Sequence, residues 1–145
     1  MGMGYYPALN PPVPGIQPEL IVSGKTLAEA MPALDELSEQ LGVQKLGSFH
    51  SESIEESFAL LGESVPPGMP EKPIEWFEPE MGLKTIRALR NHVASHTQIS
   101  LLVKDARDRE KTVELDGVMT DLQQLENVLG TAAQHKSKFR LRIDI

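Results

Sequence analysis

The sequence predicts an α+β domain of two layers, a small mixed sheet of about three strands packed on about four helices. Apolar side chains recur at helical spacing in residues 26–41 and 117–134. Residues 138–145 instead alternate strictly between apolar and polar. The composition, 40% apolar and 24% charged over 145 residues, is that of an ordinary globular chain. A chain of this length fits one domain and buries roughly 68–70% of the surface its unfolded form exposes.

Residues 1–18 hold Pro7, Pro11, Pro12, Pro14 and Pro18. Each proline fixes its own φ and removes a donor, so the stretch reads as an extended N-terminal arm, neither helix nor central strand. Tyr5, Tyr6, Leu9, Val13 and Ile16 give it apolar material to lay on a surface. Residues 19–145 then form the single α+β domain.

Residues 19–23 read as a short strand. Thr26 and Glu29 have the spacing of a capping box. Leu27, Ala30, Leu34, Leu37 and Leu41 form the helical stripe, and Gly42 ends it. Pro32 implies a bend there, or a helix that properly begins there. Residues 45–49 read as a second strand, completing a β-α-β unit. A second capping box, Ser53 with Glu56, starts a short helix that Gly62 ends. Prolines at 66, 67, 70 and 73 make residues 62–75 a loop.

Pro79 and the flanking Glu78 and Glu80 suit the first turn of a third helix, roughly 79–95. Gly82 in that turn costs about 1 kcal/mol of helix propensity relative to alanine, which implies that an aromatic ring or a backbone needs the space. Residues 97–115 fit two readings. One is irregular chain with a helical turn, which the spacing favours; the other pairs strands at 99–103 and 112–115. The last strand, with Phe139, Leu141, Ile143 and Ile145 on one side and Arg140, Arg142 and Asp144 on the other, is expected to pair with residues 19–24. Its basic stripe is expected to face solvent or the acidic half of the chain.

That acidic half is pronounced. Residues 1–80 carry 13 acids against Lys25, Lys45 and Lys72, a net of −10; residues 81–145 carry 8 acids against 11 bases, a net of +3. The asymmetry implies either docking between the halves or a partner. Overall charge of −7 argues against nucleic acid, whose binding draws on phosphate neutralisation. The chain has no cysteine, so disulfide and thiolate chemistry are excluded and a reducing, cytoplasmic setting is expected. No apolar run reaches the ~18 residues of a membrane span, and no secretory signal pattern opens the chain.

Motifs with chemistry are sparse. Residues 23–26, S-G-K-T, resemble the end of a phosphate-binding loop, but Glu19 stands where its first glycine belongs. The plainer reading is a strand-to-helix turn. His92 and His96, four apart on one helix, have the spacing of metal ligands; Val93 stands where a zincin has glutamate. A charged histidine near a helix C-terminus also suits the dipole. His50 lies beside Ser48, Ser51 and Glu52, a set without a nucleophile elbow. Tyr5, Tyr6, Trp76 and Phe77 are the paired aromatics, the residue type that anchors protein interfaces and closes cores over helix ends.

Trp76, Phe77, Pro79, Gly82, Leu83 and Thr85 resemble a W-F-x-P-x-x-G-L-x-T helix start in small bacterial proteins. Residues 121–145, a D-L-x-x-L-E helix followed by an alternating strand, resemble their ending. The resemblance implies a bacterial source and one complete domain, and carries no activity or ligand. The leading expectation is a non-catalytic protein-binding or regulatory module with no cofactor, with a protein partner or self-association through the arm. The alternative is an enzyme or metal-binding protein using His92 and His96.

Overall fold

A computed structural model of the chain describes residues 4–18, 22, 24–94, 100–104 and 110–144. Within them the chain is mixed α+β, with helices α1 (Lys25–Leu41), α2 (Ile54–Leu60), α3 (Pro79–Ala94) and α4 (Leu115–Gln134). Four strands accompany them: β1 (Gly4–Asn10), β2 (Ser100–Lys104), β3 (Glu110–Glu114) and β4 (Lys138–Asp144). The expectation of one mixed sheet of about three strands is not met among the described residues. The strands pair as two antiparallel ribbons, β1 with β4 and β2 with β3.

The N-terminal arm supplies β1. Tyr5 faces Ile143, Pro7 faces Leu141 and Leu9 faces Phe139, so the last strand takes residues 4–10 as its partner rather than 19–24. Tyr5 N–H donates away from β4, to Gly24 O at 3.2 Å. Two residues on, Pro7 occupies the same outward-facing phase, so its missing N–H costs the ladder no bond. Proline content argued against a helix or a central strand, and β1 is extended with β4 as its one strand neighbour among the described residues. The expected strand at 19–23 falls almost wholly outside the described residues.

β4 is flanked on its other side too. Phe77 and Phe139 exchange both backbone hydrogen bonds, at 2.8 and 2.9 Å, and Ser51 N–H donates to Leu141 O at 3.2 Å. The alternating pattern predicted one wet face. Instead Phe139, Arg140 and Leu141 are consecutively buried, because α2 and the Trp76 segment cover the side that Arg140 faces.

α1 places Leu27, Ala30, Met31 and Leu34 in the core. Its N-cap is Gly24 at φ 69°, so the Thr26–Glu29 capping box does not form. A Cβ on Gly24 would lie 1.7 Å from Tyr5 O, so only glycine fits where the helix start meets β1. The helix runs through Pro32 to Leu41, with the ring on the exposed face. Residues 46–49 form a 3-10 helix, not the expected strand. The reason is that Leu46 and Phe49, three apart, eclipse on one side and are both fully buried, while Asp35 accepts Gly47 N–H at 2.9 Å and fixes the turn.

Gly82 does make room for an aromatic ring. A Cβ there would approach Phe139 to 2.6 Å and Leu129 to 2.8 Å. Phe139 packs in turn against Phe49 with tilted rings, centroids 5.1 Å apart, and Phe49 meets Phe77 edge-on at 5.2 Å. Leu122, Leu125 and Leu129 of α4 and Ile86 and Leu89 of α3 complete this centre. Within the ambiguous span, residues 100–104 and 110–114 pair as strands, with Leu101 opposite Val113, while 97–99 and 105–109 lie outside the described residues. Val103, Thr112 and Val113 are β-branched, and pairing suits them better than a helix.

Candidate functional site

A cluster of ionisable side chains lies where residues 50–56 cross β4. The capping box predicted at α2 is present: Ser53 Oγ accepts Glu56 N–H at 3.1 Å, and Glu56 Oε1 accepts Ser53 N–H at 2.9 Å. The same carboxylate receives the Arg140 guanidinium in a two-point pair at 2.6 and 2.7 Å. Arg142 adds a contact to Glu56 at 3.1 Å. The Arg140 hydrogen bonds, against the opposing effect of burial, hold the Glu56 carboxyl down at about 2, with help from Ser53 N–H and Arg142.

Arg140 lies 5.0 Å from the centroid of the Trp76 ring and donates to Ser51 O at 2.9 Å. Ser51 therefore links three segments, since its Oγ also accepts Glu75 N–H at 2.8 Å. Glu52, buried beside it, accepts Ile143 N–H at 2.7 Å and faces His50 Nε2 at 3.6 Å. Tyr5 meets His50 edge-on at 5.9 Å. Burial first, then the charges of Asp35 and Glu52, push the Tyr5 hydroxyl up, so it stays protonated. Burial likewise pushes the Asp35 carboxyl up, against the hydrogen bond from Gly47 N–H.

This arrangement ties α2 and the Trp76 segment to β4. The basic stripe of the last strand meets the acidic half, as one of its two sequence readings held. Ser48 Oγ donates to Lys45 O and Ser51 Oγ is taken by Glu75, so the serines beside His50 serve the backbone. The phosphate-loop reading of 23–26 also meets an occupied helix start: the buried Asp121 carboxylate accepts Leu27 N–H at 3.0 Å. Among the described residues no group of three or more His, Asp or Glu side chains is placed to hold a metal ion. His92 lies half-buried on α3; His96 falls outside the described residues.

The paired aromatics separate. Tyr5 and Phe77 pack against the core, and Trp76 lies against Arg140. Tyr6 lines a surface groove of about 470 Å³ with Pro12, Val13, Ile16 and Arg142. A second groove, of about 440 Å³, lies between α2 and the proline-rich loop, on Ile54, Val65, Met69, Pro70 and Ile74. Sequence reading did not find this second groove. Its apolar residues are spread over 21 positions without a period, and only the loop's proline content marked the region. The pairing of Glu56 with Arg140 had no local signal either, since 84 residues separate them.

No protein-family model, curated protein or solved structure matches this chain. No helix among the described residues is long and apolar enough to cross a membrane.

Proposed function

We propose that this chain is a non-catalytic protein-binding or regulatory module of the bacterial cytoplasm, taking a protein partner rather than nucleic acid. The observation that carries the reading is that its two proline-rich stretches each line a surface groove in which apolar side chains stand among polar ones. Grooves with apolar floors and polar rims are how proteins receive peptide segments. Tyr6 is the anchor this reading assigns to the arm groove, while Tyr5 and Phe77 pack against the core and Trp76 lies against Arg140. The polar groups nearest to chemistry support the same reading, because Ser51, Glu52, Glu56 and Arg140 are committed to holding segments together.

The test compares immobilised wild-type protein with Tyr6→Ala and Met69→Asp variants in lysate of the source organism. A stoichiometric protein retained by wild type and lost from one folded groove variant is the expected result. Equal retention by all three, or none by wild type, refutes the reading.

A further inference from the structure

The two grooves differ in charge, and the difference selects both the docking site and the partner. Residues 51–80 hold eight glutamates against Lys72, a net of −7 that equals the charge of the whole chain. Arg140 and Arg142 take up Glu56, and Glu52 is buried. The remaining six, at 55, 63, 71, 75, 78 and 80, are exposed. Glu55 and Glu71 stand on the groove between α2 and the loop together with Lys72, so its lining carries a net charge of −1 within a surface of exposed glutamates. Glu78 has a counter-charge in Lys138 at 3.7 Å, both side chains being more than half exposed. The arm groove, by contrast, has Arg142 as its charged lining residue, and Glu56 already holds that guanidinium.

The floor is as telling as the rim. On the groove, Ile54, Val65 and Ile74 are half-buried and Met69 is 40% exposed, and α2 buries none of its residues. Methionine and proline floors adapt to varied apolar side chains, because the thioether is flexible and polarisable. Apolar material displayed on so acidic a surface repels phosphate and attracts a cation-bearing segment.

Resting on the binding-module reading, we infer that the groove between α2 and residues 65–74 receives a basic, amphipathic segment of a partner protein. Aliphatic or aromatic side chains of that segment lie on Met69 and Ile74, and its lysines or arginines meet Glu55 and Glu71. The glutamates speed encounter and choose sign; the apolar floor holds the segment.

Photo-cross-linking tests this. The probe is p-benzoylphenylalanine placed at Met69, at Tyr6 and, as a control, at the exposed Glu36 of α1, in the full chain irradiated in lysate of the source organism. Adducts are mapped to the partner residue by mass spectrometry. The expected result is an adduct from position 69 within a stretch rich in Lys or Arg with apolar neighbours. Its yield should fall roughly tenfold in a Glu55→Lys/Glu71→Lys background, about 1.4 kcal/mol of lost binding. Circular dichroism should show that background still folded, since both glutamates are exposed. An adduct mapping to a neutral or acidic stretch, to a second copy of the chain, or undiminished by charge reversal overturns the inference. An adduct from position 6 without one from 69 overturns this groove while the binding-module reading stands. Adducts from neither position overturn both.

Discussion

Replacing Arg140 with methionine keeps much of the side-chain volume and removes the charge. Glu56 then remains beside β4 with Arg142 at 3.1 Å and Ser53 N–H at 2.9 Å, but without its two-point partner. A carboxyl held at about 2 rather than the ordinary 4.5 contributes on the order of 3 kcal/mol to folding at neutral pH. The folded value lies below the unfolded one, so the contribution is complete above pH 4.5 and is lost as pH falls towards 2. The hydrogen bond to Ser51 O and the contact with Trp76 are lost as well. Together these place the cost of Arg140→Met at about 3–5 kcal/mol at pH 7, the range for breaking one side of a buried pair. That is a large share of the ~5–15 kcal/mol available to a domain.

Urea unfolding followed by circular dichroism, on wild type, Arg140→Met, Glu56→Gln and the double variant, measures this cost as a cycle. The loss on Arg140→Met should shrink by about 2 kcal/mol between pH 6 and pH 3, as the wild-type pair itself gives way. It should also be smaller in the Glu56→Gln background at neutral pH. A loss under ~0.5 kcal/mol at pH 7, or one that is the same at both pH values, refutes the assignment of Arg140 as the group that holds Glu56 ionised.

Three further substitutions test the packing. Gly82→Ala gains up to ~1 kcal/mol of helix propensity but drives a methyl group against Phe139 and Leu129, so a net loss of about 1–2 kcal/mol in urea unfolding is expected, and a gain contradicts the packing. Gly24→Ala combines a left-handed φ of 69° with a collision at Tyr5 O; a loss of about 3 kcal/mol or more, read as a lowered melting temperature, is expected, and an unchanged melt would mean that β1 does not dock on the start of α1. Pro32→Ala restores a backbone donor on the exposed face of α1 and should stabilise by about 2 kcal/mol in calorimetry; no gain would mean that the helix already accommodates the proline by bending.

The sequence by itself determined the mixed α+β class, the α2 capping box, the stripes of α1 and α4, the start of α3 at Pro79, and the purpose of Gly82. Each rests on a short-range rule: a period of 3.6, a three-residue capping spacing, or a local propensity cost that demands compensation. Pairings were a different matter. Residues 4–10 took the place beside β4 that residues 19–24 were expected to fill, because the outward phase of Pro7 is visible only once the register is known. Leu46 and Phe49 were consistent with a strand until Asp35, from another element, accepted Gly47 N–H and closed a 3-10 turn. The basic stripe at Arg140 and Arg142 carried no local mark of burial; α2, which supplies Glu56, covered it. The two apolar grooves likewise arise from residues brought together across loops. Local spacing sets which faces are apolar, and tertiary structure alone decides what meets them, since burial and ion pairing depend on neighbours that the chain brings from tens of residues away.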